Sequence, residues 1–331
     1  MSTIYEIAAQ VGVSTATVSR VINKRRGVNK QTVAKIEQAL DEARFRPRWK
    51  AAPENVIGLV IAPYSNCLAD VYNANAISAL CETLFAEGYT VHLIPCIGTH
   101  QTLGDLRKMA MSHQLQGVVI LNFHYTNDLS DLVDESDIPH VIIGNAGIFG
   151  AKNHVSVDDR AGGLQAMRYL ALLGHRHIGV VTASARDRGQ SLRLQGVRDA
   201  AEEIGDVRIV HRAFEEFDSE TGVSAAAELM SVIDRPTAIV VTNSTLAMGF
   251  VRGCRRMGVG VPGEVSILGF EDGDELSNVD PPITAMRQPT RQVGQEAAWQ
   301  LIKQLRAVPV ETHYDCALTL LVRETTARVS Q

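Results

Sequence analysis

Eight short apolar runs, each followed by room for a helix, limit the possible folds of this chain more than any other feature. They are VIGLVIA (56–62), YTVHLIP (89–95), GVVIL (117–121), HVIIG (140–144), HIGVVTA (177–183), VRIVHRA (207–213), AIVVT (238–242) and VSILGF (265–270). Amphipathic stretches such as Ala161 to Leu173 and Gly222 to Val232 separate them. Most of the runs are continuously apolar rather than alternating, which marks strands covered on both faces, as in a parallel sheet between helix layers. Eight such units exceed one ordinary open sheet. Two similar doubly wound α/β subdomains with a cleft between them are therefore predicted for residues 56–331. A chain of 331 residues with 45% hydrophobic content can build more than one core of this kind.

The first fifty residues follow a different rule. In TIYEIAAQVGVSTATVSRVIN (3–23), Thr3 and Glu6 form a capping box, and Ile4, Ile7, Ala8 and Val11 share one helical face. Gly12 permits a tight turn, and Ser14 is placed to cap a second helix. Val18, Val21 and Ile22 turn that helix inward, leaving Thr15, Ala16, Thr17, Ser19, Arg20 and Asn23 outside. This is the form of a helix-turn-helix, whose second helix offers small and hydrogen-bonding groups to base edges and phosphates. A third helix is expected from about Lys30 to Arg44, with Val33, Ile36, Ala39, Leu40 and Ala43 on one face. Residues 1–50 carry ten Lys/Arg against four Asp/Glu, while the remainder carries 22 against 33. A basic end on an acidic body suits a phosphate-binding headpiece.

The run EIAAQVGVSTATVSRVIN, followed by VNKQTVAKIEQALDEARFRP, resembles the headpiece of the lactose-repressor (LacI/GalR) family of bacterial transcription regulators, without a gap through Pro47. The likeness extends more loosely to the C-terminus. It implies a helix-turn-helix domain at 1–46, a linker at 47–55, and a body like a periplasmic sugar-binding protein with crossovers near residues 158, 288 and 318. It further implies a homodimer on a palindromic double-stranded DNA operator, modulated by a small, carbohydrate-like effector. By the same carry-over, Thr15 and Ala16 choose among bases and Arg20 is the next reader or phosphate clamp. Ser14, Thr17, Ser19 and Asn23 are then mainly backbone contacts.

The linker departs from the family. Relatives carry a hinge helix whose Leu wedges into the operator minor groove. Here the run is Arg48-Trp49-Lys50-Ala51-Ala52-Pro53-Glu54, with Arg48 in place of an Asn, Glu54 in place of that Leu, and Pro53 in mid-helix. A carboxylate cannot intercalate, since it would be desolvated and repelled by phosphates. Two readings stand for Arg48, Trp49 and Lys50: a basic, aromatic arm reaching DNA, or packing by Trp49 with solvated charges.

Ligands of open parallel sheets bind beyond the carboxyl ends of the strands. Polar groups follow the apolar runs there: Asn122, Asn145, Asn243-Ser244 and Glu271-Asp272. Arg193, Phe217, Asn243, Asp272 and Gln288 fall on effector-contacting positions of the resembled family, with Tyr72 and Asn73 added at the start of the first body helix. The family commonly has Asn-Asp where Asn243-Ser244 stands, and often Asp where Asn145 stands. A wall short of carboxylates argues against an ordinary hexose.

Other features point to no chemistry. GVGVPG (258–263) follows a helix and precedes a strand, the reverse of a dinucleotide fingerprint. His175 and His177 lack a third ligand, and Asp158-Asp159 reads as a helix cap. Cysteines 67, 81, 96, 254 and 316 show neither disulfide nor zinc spacing. No catalytic set, cofactor, metal, signal peptide or membrane span is expected, so a cytoplasmic, nucleoid-associated protein is. For dimerisation, Ala74, Ile77, Leu80 and Leu84 either form a subunit contact or face the sheet. The ending VRETTARVSQ carries no heptad tail, which favours a dimer over a tetramer.

Overall fold

Two units divide the chain, Met1–Glu54 and Asn55–Gln331. The computed structural model describes residues 4–22, 27–43, 55–61, 71–95, 103–121, 133–144, 152–183, 188–271 and 273–329.

The first unit contains α1 (Ile4–Val11), α2 (Thr15–Ile22) and α3 (Lys30–Glu42). Gly12 turns the chain at φ +72°, a conformation glycine adopts without steric cost. The Ser14 hydroxyl accepts from the Thr17 amide at 3.1 Å and caps α2, and Asn29 Oδ1 accepts from the Thr32 amide at 2.8 Å and caps α3. Ile7, Ala8, Val18, Ile36 and Ala39 are buried together, closed over by Val11, Val21, Ile22 and Leu40. Thr3, the first half of the expected capping box, lies outside the described residues.

The second unit holds two six-stranded sheets. The first contains β1 (Val56–Ile61), β2 (Thr90–Pro95), β3 (Leu115–Leu121), β4 (His140–Ile143), β5 (His154–Val157) and β11 (His313–Cys316), in the order β11-β5-β4-β3-β1-β2, all parallel. The second contains β6 (His177–Ala183), β7 (Arg208–Phe214), β8 (Ala238–Val241), β9 (Ser266–Phe270), β10 (Thr284–Arg287) and β12 (Thr319–Leu321). Its order is β12-β10-β9-β8-β6-β7, and only the β10–β12 pair is antiparallel.

Helices cover both faces of each sheet, which is why the central strands β1, β3, β4, β6, β8 and β9 read as near-continuous apolar runs. On the first sheet, α4 (Val71–Ala86) and a late helix, α11 (Thr290–Leu305), enclose one core, while α5 (Leu103–Ser112) closes a smaller one opposite. On the second, α6 (Asp159–Leu172) and α7 (Arg188–Ile204) cover one face; α8 (Ser219–Met230) and α9 (Ser244–Met257) cover the other. A one-turn helix, α10 (Asp274–Ser277), follows β9. The paired helices approach closely at glycine. A Cβ on Gly163 would lie 2.0 Å from the Arg193 carbonyl oxygen, and one on Gly196 would lie 1.9 Å from that of Arg160.

The chain passes between the sheets three times: at Asp158 from β5 into α6, at Gln288 from β10 into α11, and at Leu318 from β11 into β12. Leu318 packs against a core of each lobe.

The structure settles one open alternative and refines another reading. Leu80 and Leu84, weighed as surface for a subunit contact, are fully buried against the first sheet. Their spacing serves the core, and the outer face of α4 instead exposes Ala74 and Phe85. Asp158 caps α6, its Oδ1 accepting from the Ala161 amide at 2.9 Å, whereas Asp159 does not cap: it is buried and paired with Arg193. The glycine-rich run after α9 is a helix end, with Gly258 as a left-handed C-cap. Among the described residues, no helix is long and apolar enough to cross a membrane.

Candidate functional site

Within the headpiece, packing of Val18 leaves one side of α2 outward. Ala16 and Arg20 are exposed on it, with Thr15, Thr17 and Ser19 half-buried. The Ser14 and Thr17 hydroxyls share a hydrogen bond of 2.9 Å, so the cap that starts the helix also fixes two polar groups at its tip. Such a surface offers a fixed cation on Arg20 and a methyl-sized Ala16, with no bulky apolar group between them. Asn23, Arg48, the basic loop Lys24-Arg25-Arg26 and the linker departures at Trp49, Lys50, Pro53 and Glu54 lie outside the described residues.

The second site is a cleft at the carboxyl ends of the body strands, with a cavity of about 210 Å³. Tyr72 and Asn75 line it from α4 of the first lobe, Ser244 and Glu271 from the second lobe, and Gln288 from a crossover. Glu275 adds another carboxylate at its edge.

Behind this lining stands a buried polar network. Arg193 donates from Nε to Asp159 Oδ1 at 2.8 Å, from Nη1 to the Thr242 carbonyl, and from Nη1 to Glu271 Oε1 at 3.4 Å. Its guanidinium carbon sits 5.0 Å from the Phe270 ring centroid, a cation–π contact. Gln288 Nε2 donates to the same Asp159 oxygen at 3.3 Å, so one carboxylate links two crossovers to a helix of the second lobe. Gln190 donates to the Thr242 carbonyl at 3.1 Å and accepts from the Thr242 hydroxyl. Gln288 Oε1 is buried without a hydrogen-bond partner among the described residues, leaving an acceptor at the cleft wall.

Glu271 converts this network into a surface. Its Oε2 accepts from Asn243 Nδ2 at 2.8 Å, from the Ser244 hydroxyl at 3.2 Å and from the Ser244 amide at 3.4 Å. The Ser244 amide lies in the first turn of α9, where a negative charge is favoured. Glu271 also adopts φ +64°, which costs a non-glycine residue of order 1–3 kcal/mol and persists only where the surroundings enforce it. Bonds to Arg193, Asn243 and Ser244 are that enforcement. Tyr72 responds to the same setting. Burial raises its phenol well above the usual range, and the Asp159 carboxylate adds to the effect, so it stays protonated and can donate.

The expected residues divide accordingly. Tyr72 and Gln288 line the cleft. Arg193 is 5% exposed and reaches the cleft through Glu271 rather than directly. Asn243 is shared between Glu271 and the Leu246 amide, which its Oδ1 caps at 3.1 Å. Asn73 is buried, and the helical neighbour that lines the cleft is Asn75. Phe217 packs on the apolar cluster around α8 and α9 and is not among the lining residues. Asn122, Asn145 and Asp272 lie outside the described residues. Sequence reasoning missed Asp159, Gln190 and the role of Glu271. For Asp159 there was a signal: it begins a buried helical stripe with Gly162, Gly163 and Ala166, where a lone carboxylate needs a partner.

Comparison with known proteins agrees with both halves. Residues 3–48 match the family of bacterial regulatory proteins, lacI family, and residues 167–326 match a periplasmic binding protein-like domain. The chain is 27% identical to the HTH-type transcriptional repressor PurR of Vibrio vulnificus over the full length of both. It is 28% identical to the HTH-type transcriptional regulator MalR of Streptomyces coelicolor, over 97% of this chain and 96% of that one. A Lac repressor dimer bound to operator and the anti-inducer ONPF shares the fold, with a TM-score of 0.79 and 21% identity, covering 98% of this chain and 99% of that chain. A complex of the transcriptional regulator CelR with cellobiose superposes with a TM-score of 0.71 at 25% identity, covering 98% and 100%. A helix-turn-helix headpiece, two doubly wound lobes and full-length similarity to transcriptional regulators coincide in one chain, a DNA-binding regulator of transcription with a LacI-family headpiece and a periplasmic-binding-protein-like effector domain.

Proposed function

We propose that this protein is a repressor that binds a palindromic operator as a homodimer and responds to a small, neutral, polyhydroxylated effector in the body cleft. The observation that carries the reading is the composition of the cleft wall. Tyr72 and Asn75 come from one lobe, Ser244 and Glu271 from the other, and Gln288 from a crossover. A molecule touching all of them gains contacts that depend on the angle between the lobes, so it has a differential affinity for two arrangements. That difference is the largest shift a ligand can produce.

The ligand class follows from charge. Among the described residues, Asp159, Glu271 and Glu275 stand against one guanidinium, Arg193, which Asp159, Glu271 and the Thr242 carbonyl already engage. An anion would meet net negative charge, whereas hydroxyl groups find acceptors on Glu271 and Gln288 and a donor on Tyr72. Glu271 also returns to the β8 side of the wall the carboxylate lacking at Ser244, hydrogen-bonded to that serine. The cellobiose complex among the similar structures supports a carbohydrate-like ligand.

On the DNA side, Thr15, Ala16 and Arg20 are assigned to base edges, with Ser14, Thr17, Ser19, Asn23 and Arg48 on the sugar-phosphate backbone. A single three-helix headpiece has a small footprint, so a twofold pair on half-sites about one helical turn apart is required for tight binding. Selection of bound sequences from a random duplex pool, with and without panels of neutral sugars and phosphorylated sugars, tests the reading. A palindromic consensus whose retention changes with a neutral sugar is the expected result. No sequence preference at low salt refutes the DNA reading, and a response to phosphorylated sugars alone refutes the ligand class.

A further inference from the structure

We propose that His154, His313 and Asp315 form a binding site for a divalent transition-metal ion of the zinc type, on the outer edge of the first sheet and outside the cleft lining described above. The three side chains each offer a ligand atom, and these atoms all lie within 4.8 Å of one another. Strand register brings them together. His154 and His313 are direct partners across the parallel β5–β11 pair. Val155 and Val157 of β5, with Tyr314 and Cys316 of β11, pack into the core beneath α4 and α11. Alternation therefore directs His154, His313 and Asp315 to the opposite face, in one patch.

Donor type and geometry select the metal. Two imidazoles and one carboxylate suit zinc, cobalt or nickel, whereas magnesium and calcium require oxygen ligands. The imidazoles meet edge to face with centroids 3.9 Å apart, and His313 Nε2 lies 2.6 Å from Asp315 Oδ2. Ligand atoms around a tetrahedral ion stand about 3.3 Å apart for bonds near 2.0–2.1 Å. Admitting the ion thus requires the His313–Asp315 pair to open by under about 1 Å and the separations to His154 to close by up to about 1.5 Å, which partly exposed side chains on an edge strand can do. The fixed partner is His154, 3% exposed, while His313 and Asp315 open toward solvent and provide both an entry path and room for water as the fourth ligand.

The location gives the ion a mechanical role. β5 runs into the Asp158 crossover and β11 into the Leu318 crossover, so an ion held here fastens together the two strands that leave the first lobe.

The test uses the untagged full-length chain. Titration with Co²⁺ is expected to develop the visible absorption of a tetrahedral site, saturating at one ion per chain and displaced by Zn²⁺ but not by Mg²⁺. His313→Gln and Asp315→Asn, both at solvent-open positions, should fold as the parent does, checked by metal-free melting. Each should lower Zn²⁺ affinity by more than the about 10–100-fold typical of losing an outer-shell partner. No saturable Co²⁺ band, or variant affinities within about twofold of the parent, overturns the proposal, because metal binding elsewhere is indifferent to these ligands. Operator binding by the metal-free protein is measured in parallel, so failure here remains separate from failure of the repressor reading.

Discussion

Removing the Asp159 carboxylate tests the buried network most directly. In the Arg193–Asp159 pair the two side chains are 6% and 1% exposed, so solvent screens little of their interaction. Deleting one partner of a buried pair costs about 3–5 kcal/mol, because it leaves the other charge uncompensated. In Asp159→Ala, Arg193 keeps the Thr242 carbonyl and Glu271 at 3.4 Å, so the lower end, about 3 kcal/mol, applies. At about 2–4 °C per kcal/mol for a body of this size, the melting temperature should fall by about 6–12 °C. Arg193→Ala should cost at least as much, since it abandons a carboxylate that is 1% exposed. The double variant Asp159→Leu/Arg193→Met should cost less than the sum of the single changes. Glu203→Ala is the control: its pair with Arg168 is about half exposed on both sides and is worth no more than about 1 kcal/mol. The assay is thermal unfolding of the full chain followed by circular dichroism. If Asp159→Ala melts within the range of Glu203→Ala, the network does not hold the lobes as described.

Three further outcomes are expected. Arg20→Ala should weaken binding to the selected operator by about 1–3 kcal/mol at fixed salt, read by fluorescence anisotropy; unchanged affinity excludes Arg20 as a reader or clamp. Gly196→Ala places a methyl 1.9 Å from a backbone oxygen, so α6 and α7 must part, at about 1–3 kcal/mol or more; an unaltered melting temperature contradicts the close approach. His175 is buried, bonded to Thr237, Ser266 and the Ala327 carbonyl, and burial holds its imidazole below the ordinary 6.5, with the Ala327 bond opposing. The unfolded chain then protonates first as pH falls. Stability is full above about pH 6.5 and declines below it, down through the folded value, with His211 shifted in the same direction. His175→Gln should flatten that slope between about pH 5 and 7, and an identical slope removes His175 as its source.

Strands buried on both faces were readable because burial leaves a continuous apolar signature. All eight runs are strands. HVSV, TAMR, HYDC and TLL, which form β5, β10, β11 and β12, carry no such signature, because they are three or four residues long and owe their extended form to a neighbouring strand. At the cleft, strand-end position together with the family resemblance singled out Asn243 and Gln288. Position could not single out Glu271, whose carboxylate reaches the network from a backbone at positive φ. Asp159 was taken for half of a cap because its partner, Arg193, lies 34 residues away and meets it only once two glycine-lined helices close together.

Two bodies joined by one strand can swivel freely; joined by three, they cannot. With passages at Asp158, Gln288 and Leu318, the lobes are tethered at three points, so turning about any one passage is resisted by the other two. A cut in any single tether leaves the remaining two to keep the halves in register.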